Sequence, residues 1–149
     1  MKYLEDFSTG QEFPLGEYAV SAAEIIDFAQ RYDPQVFHVD PQHEKTRAAG
    51  GLLASGWHTS AIYMRLTVDA FLTDSATLTS PGIDELRWLA PVRAGDILSG
   101  VAVVDSVRPS GSRPDRGILV NRGTLWNQRR EDVMTIRTTA FVLRRGAQA

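Results

Sequence analysis

The feature that most constrains this chain is a change of hydrophobic period near residue 80. Before it, apolar residues recur at helical spacing. In "SAAEIIDFAQRY", Ile25, Phe28, Ala29 and Tyr32 share one face. In "ASGWHTSAIYMRLTVDAFL", Trp57, Ala61, Met64 and Val68 form a stripe that Ile62, Leu66 and Phe71 extend. After it, "IDELRWLAPV", "ILSGVAVVDSV", "ILVNRGTLWNQ" and "VMTIRTTAFVLRR" read as extended segments, separated by "RAGD", "RPSGSRPDRG" and "RRED". Long β segments in succession predict an antiparallel meander. Helices followed by a sheet predict an α+β layer architecture, with one long helix, roughly 55–71, packed on a sheet face and covered over much of its girth. The earlier "EFPLGEYAV" carries Pro14 and Gly16, which suit an edge strand or a bend.

Local signals mark the helix ends. Ser21 with Glu24 forms a capping-box pattern and starts a helix over 22–31 that ends near Pro34. Asp40 and Pro41 suit the cap and first position of a second short helix through "DPQHEKTRAAGG", stopped by Gly50 and Gly51. Ser55 suits the cap of the long helix.

The 149 residues accommodate one domain, 1–149, with a real core. A net charge of -2, with 43% hydrophobic and 23% charged residues, gives no electrostatic footprint for nucleic acid. The absence of cysteine excludes disulfides, thiolate nucleophiles and Cys-ligated metal sites. No segment reaches the roughly 18 apolar residues that suggest a membrane span, and the N-terminus does not read as a signal peptide. Cytoplasm is the expected compartment.

The stretch "YDPQVFHVDP" concentrates the chemistry. By the residues alone, Asp33 and His38 fit a catalytic pair, a capped loop with a satisfied histidine, or a metal site completed by Asp40 and His43. His58 is a further titratable group on the long helix. Arg93, Arg108, Arg113 and Arg116 are candidate phosphate contacts, while Trp88 and Trp126 fit packing within strands. No phosphate-binding loop is present.

Three segments together resemble the MaoC-like dehydratases, including the (R)-specific enoyl-CoA hydratases, of the hot-dog fold. These are "FAQRYDPQVFHVD", "GGLLASGWHT" and "LRWLAPVRAGDIL". The resemblance implies a curved antiparallel sheet wrapped around a long central helix, and a homodimer or dimer-based higher oligomer with the site near its interface. It implies a lyase acting on an acyl-CoA or acyl-carrier-protein thioester. The reaction would be reversible hydration of a trans-2-enoyl group, with no cofactor beyond coenzyme A as part of the substrate. The family more often has Asp-x-Asn-Pro-x-His where this chain has "DPQVFH", and His-Gly where it has Ser55-Gly56.

On this reading Asp33 is the base and His38 its partner and proton donor. The Gly56 N–H, at a helix start, stabilises the thioester oxyanion, and the missing Cβ lets the thioester approach. Ser55, Trp57 and Arg93 contact substrate. A thioesterase of the same fold, or a non-catalytic acyl-thioester-binding or structural subunit, are the alternatives; thiol release or binding without chemistry would distinguish them. Neither nucleic acid, metal nor membrane is an expected partner.

Overall fold

A computed structural model describes residues 1–147; the last two residues of the expected domain lie outside it. The meander forms as the alternation requires. β1 is Glu12–Ala19, β2 Gly82–Trp88, β3 Ile97–Pro109, β4 Arg116–Trp126 and β5 Asp132–Leu143. They make one antiparallel sheet in the order β1-β3-β4-β5-β2. Period-two alternation sends one set of side chains to a single face. Leu98, Ala102 and Val104 of β3 are buried there beside Leu119 and Leu125 of β4 and Met134, Ile136 and Val142 of β5. Each fully buried large aliphatic side chain contributes about 1.5–3 kcal/mol. β1 is an edge, as Pro14 and Gly16 suggest, and its register shifts between Leu15 and Tyr18.

The helices lie between β1 and β2. They are α1 (Ala22–Tyr32), α2 (Val36–Val39), α3 (Glu44–Ala48) and α4 (Gly56–Thr67). Ser21 caps α1 by accepting from Glu24 N–H at 3.1 Å. The second short helix starts later than its sequence signals suggest. His43, not Asp40, caps α3, with its Nδ1 accepting from Lys45 N–H at 3.2 Å, while Asp40 accepts from Gln42 N–H in the turn before it. The four-residue α2, unforeseen, carries His38.

The curved sheet wrapped around a long central helix does not form. The sheet is open, with β1 and β2 as its two edges, and is not strongly curled. α4 has 12 residues and gives way to a π-helical stretch, Val68–Leu72. The helical ladder changes where Thr67 turns its hydroxyl back onto Tyr63 O at 2.7 Å and Thr73 N–H reaches Val68 O at 3.1 Å, five residues back. The widened turn aims Phe71 into the core, stacked on Phe13 at 4.4 Å. Nor is α4 covered all round. Ile62, Tyr63 and Leu66 are buried, but Trp57 and Met64, from the first predicted stripe, are 57% and 52% exposed.

Tyr63 fixes how closely α4 approaches the sheet. Its ring lies where a Cβ on Gly123 of β4 would be. Gly123→Ala is therefore expected to overpack a buried ring and destabilise the fold by about 1–3 kcal/mol. A lowered urea midpoint checks this; an unchanged midpoint would mean that α4 can shift freely on the sheet.

Candidate active site

α1 ends at Asp33 because Pro34 cannot continue it. Asp33 N–H still reaches Ala29 O at 2.8 Å, and the chain then turns through Pro34 and Gln35 into α2. This brings His38 Nε2 to 3.3 Å from Asp33 Oδ2, with both side chains mostly withdrawn from solvent. The Asp-Pro-Gln segment thus holds the pair together, and Gln35 takes part directly by donating from Nε2 to Asp33 Oδ1 at 2.7 Å. Ser55 Oγ donates to Asp33 Oδ2 at 2.7 Å. Burial pushes the Asp33 carboxyl up. The hydrogen bonds from Ser55 and Gln35, and the charge His38 carries when protonated, outweigh it and hold Asp33 below the ordinary carboxylate value.

The other nitrogen of His38 settles its tautomer. Nδ1 lies 2.6 Å from Leu53 O, and a carbonyl can only accept, so Nδ1 carries a proton. In the neutral ring Nε2 is then a bare lone pair facing a carboxylate oxygen. Two acceptors at this distance need a shared hydrogen donor, or a second proton on the ring.

His38 opens onto a cavity of about 330 Å³ whose wall includes Gly56, Thr59, Trp88, Pro91 and Val133. Gly56 opens α4, and its N–H has no acceptor among the described residues. The helix dipole adds partial positive charge there. The reason for glycine differs from the sequence expectation: a Cβ at Gly56 would overlap the Trp88 indole, so the glycine makes room for a tryptophan.

The other expectations resolve as follows. Ser55 is only 1% exposed; it caps α4 by accepting from Trp57 N–H at 3.3 Å and holds Asp33, so in this fold it positions the carboxylate. Trp57 is not in the wall of the His38 cavity; it packs edge-on against Trp88 at 5.1 Å. Arg93 is engaged by backbone, donating from Nη2 to Ala49 O at 2.7 Å and from Nη1 to Gly51 O at 3.2 Å, which ties down the chain leaving α3. His58 faces away from this cavity, stacked on Phe28 at 4.7 Å with Nε2 3.6 Å from Glu24. Burial pulls its pKa down against the opposing pull of Glu24. Arg113 and Arg116 pair with Asp115. Among the described residues, no group of three or more His, Cys, Asp or Glu is placed to hold a metal ion, and no helix is long and apolar enough to cross a membrane.

Sequence reasoning missed three members of the site. Gln35 and the Leu53 carbonyl carry no chemical signature. Trp88 read as strand packing, yet it walls the cavity.

A five-stranded antiparallel sheet carrying a helix, with an Asp–His pair at the helix start, defines the class to which this chain compares. The MaoC like domain family profile matches residues 6–118, and the chain belongs to that hot-dog dehydratase–hydratase family. It is similar to a MaoC-like dehydratase from Rhodospirillum rubrum, with 41% identity over 97% of this chain and 99% of that one and a TM-score of 0.88. It shares its fold with the R-hydratase PhaJ1 from Pseudomonas aeruginosa, at 18% identity over 95% and 86% of the two chains and a TM-score of 0.78. The uncharacterized protein YdeM of Bacillus subtilis (strain 168) is 29% identical over 126 residues, 85% of this chain and 88% of YdeM.

Ser55→Ala removes a helix cap and a hydrogen bond to a carboxylate, and is expected to cost about 2 kcal/mol. Because Asp33 is held below its ordinary value of 3.8, its stabilising contribution is complete above that pH and is lost as pH falls through the lowered folded value. The stability gap between wild type and Ser55→Ala should therefore be flat near neutrality and narrow below about pH 3.8, as read by urea unfolding across pH. A gap that does not change with pH would contradict the Ser55–Asp33 link.

Proposed function

We propose that this protein catalyses the reversible hydration of a trans-2-enoyl thioester. The observation that carries the proposal is the 3.3 Å approach of His38 Nε2 to Asp33 Oδ2, with the His38 tautomer set by Leu53 O. A water that donates one hydrogen to each acceptor satisfies both. Its lone pairs then point away from the pair, toward an electrophilic β-carbon.

As the water O–C bond forms, one O–H bond breaks and its proton passes to Nε2. The imidazolium gives that proton to the α-carbon as the enolate collapses. Asp33, held as a weakly basic carboxylate, orients the water and stabilises the imidazolium. This gives the proton-accepting role to His38, where the sequence reading gave it to Asp33. The Gly56 N–H at the α4 dipole end supports the charge that develops on the thioester oxygen. Dehydration is the same path in reverse, and one water supplying both hydroxyl and proton makes the addition syn. The fold shared with PhaJ1 and the similarity to the R. rubrum dehydratase favour this chemistry over thioester hydrolysis.

A homodimer forms part of the proposal. β2 is a free sheet edge, and Ile83, Trp88 and Leu89 along it, with Trp57 and Met64 of α4, are exposed apolar side chains. Covering them with a second copy would also enclose the His38 cavity. The thioester carrier is coenzyme A or an acyl carrier protein.

Purified protein should consume enoyl-CoAs with loss of enoyl absorbance and without thiol release. Asp33→Asn and His38→Ala should each lower kcat/KM by about 100-fold or more while the circular dichroism spectrum shows each variant still folded under assay conditions. Thiol release, or full activity in either variant, would overturn the proposal.

A further inference from the structure

β4 contains one residue out of keeping with its place. Its alternation turns Leu119, Asn121, Gly123 and Leu125 toward the buried side, and the outward neighbours are partly exposed. Asn121 pairs in register with Val104 on one side and Thr138 on the other, in the middle of the sheet. It is 5% exposed, and its Oδ1 is fully buried with no hydrogen-bond partner among the described residues. A buried amide oxygen without a partner is costly to the fold, so an amide at a core position points to a use beyond folding.

Asn121 lines a cavity of about 460 Å³ between α4, the π-helical stretch and strands β5 and β2. Phe71, Leu72, Leu78, Ile83 and Ile136 make its walls mostly apolar, and no charged residue lines it. Several hydroxyls in the same wall are engaged elsewhere. Thr67 bonds Tyr63 O, Ser80 bonds Gly82 O, Thr139 bonds Asp84 and Ser60 bonds Gly56 O. The cavity borders the candidate active site. Trp88, a wall of the His38 cavity, donates its indole N–H at 3.1 Å to Ser60, a wall of the larger one.

We propose that this second cavity takes the distal carbons of the acyl group and that Asn121 recognises a hydroxyl on them. The preferred substrates are then enoyl thioesters that carry a hydroxyl remote from the double bond, rather than plain fatty enoyl thioesters. The reasoning rests on the hydratase reading above for the placement of the thioester. The apolar walls suit hydrocarbon. The Asn121 amide is the unpartnered polar group of these walls, and a hydroxyl, which both donates and accepts, can pair with the amide edge turned to the cavity without bringing a charge. A carboxylate or an ammonium group would find no counter-charge in these walls.

The test uses saturated thioesters, which bind but cannot be hydrated. Octanoyl-CoA is compared by calorimetry with its hydroxy isomers, the hydroxyl placed on each carbon from the fifth to the eighth. At least one isomer should bind wild type about tenfold more tightly than octanoyl-CoA. Asn121→Val should abolish that preference without weakening octanoyl-CoA. If Asn121→Val does not fold, Asn121→Ser serves, and the wild-type panel decides by itself. No preference in wild type, a preference retained in the variant, or no binding by any of these thioesters overturns the proposal. A hydroxyl preference without turnover of any enoyl-CoA would sink the hydratase reading and leave the Asn121 site standing. Turnover without a preference would do the reverse.

Discussion

The hydrogen bond from Ser55 to Asp33 joins the end of α1 to the start of α4 across 22 residues of chain. A carboxylate at the end of a helix is poorly placed electrostatically, since the carbonyl ends of the helix already carry partial negative charge. Ser55 gives it a donor, and Gln35 gives it another. Ser55 is also the residue from which α4 begins, because the same oxygen accepts the Trp57 N–H. One buried hydroxyl therefore sets both where the carboxylate stands and where the free Gly56 N–H emerges. On the proposed mechanism, that shared atom fixes the distance between water handling and oxyanion binding.

The sheet supplies the second constraint. Trp88, at the end of β2, leans over Gly56 and gives its N–H to Ser60 one turn further along α4. It packs against Trp57 on its other side. The start of α4 is thus held from two directions, by Asp33 from the helical layer and by Trp88 from the sheet edge. The tryptophan needs the glycine; its ring walls the cavity beside His38, and its partner Ser60 walls the larger apolar cavity around Asn121. On the proposed reading, α4 then borders both the water-handling cavity and the acyl-selecting one.

What was legible in the sequence is what local periodicity encodes. The alternation of Leu98, Gly100, Ala102 and Val104 announces β3, and Ser21 with Glu24 announces α1. The contact of Asp33 with His38 is legible because both partners lie in one short segment, five residues apart. Long-range partners leave no such trace. Nothing in "DPQVF" says that Ser55 will complete the carboxylate, and α2 is too short to show a period. Apolar periodicity also reports a stripe without saying what covers it. Trp57 and Met64 were therefore assigned to a covered face, although this chain by itself leaves them exposed. Asn121 was visible as a polar residue in an alternating strand, but its meaning depends on a cavity that no sequence pattern reveals.

The central claim is that His38 meets Asp33 with an open lone pair, ready to share a water, because Leu53 O holds the ring proton on Nδ1. Nitrogen NMR of the His38 imidazole, at a pH where the ring is neutral, measures this directly. The expected spectrum shows a protonated Nδ1 and an unprotonated Nε2. A neutral ring with its proton on Nε2 would contradict the claim, because the pair would then be closed on itself and unable to accept a proton from water.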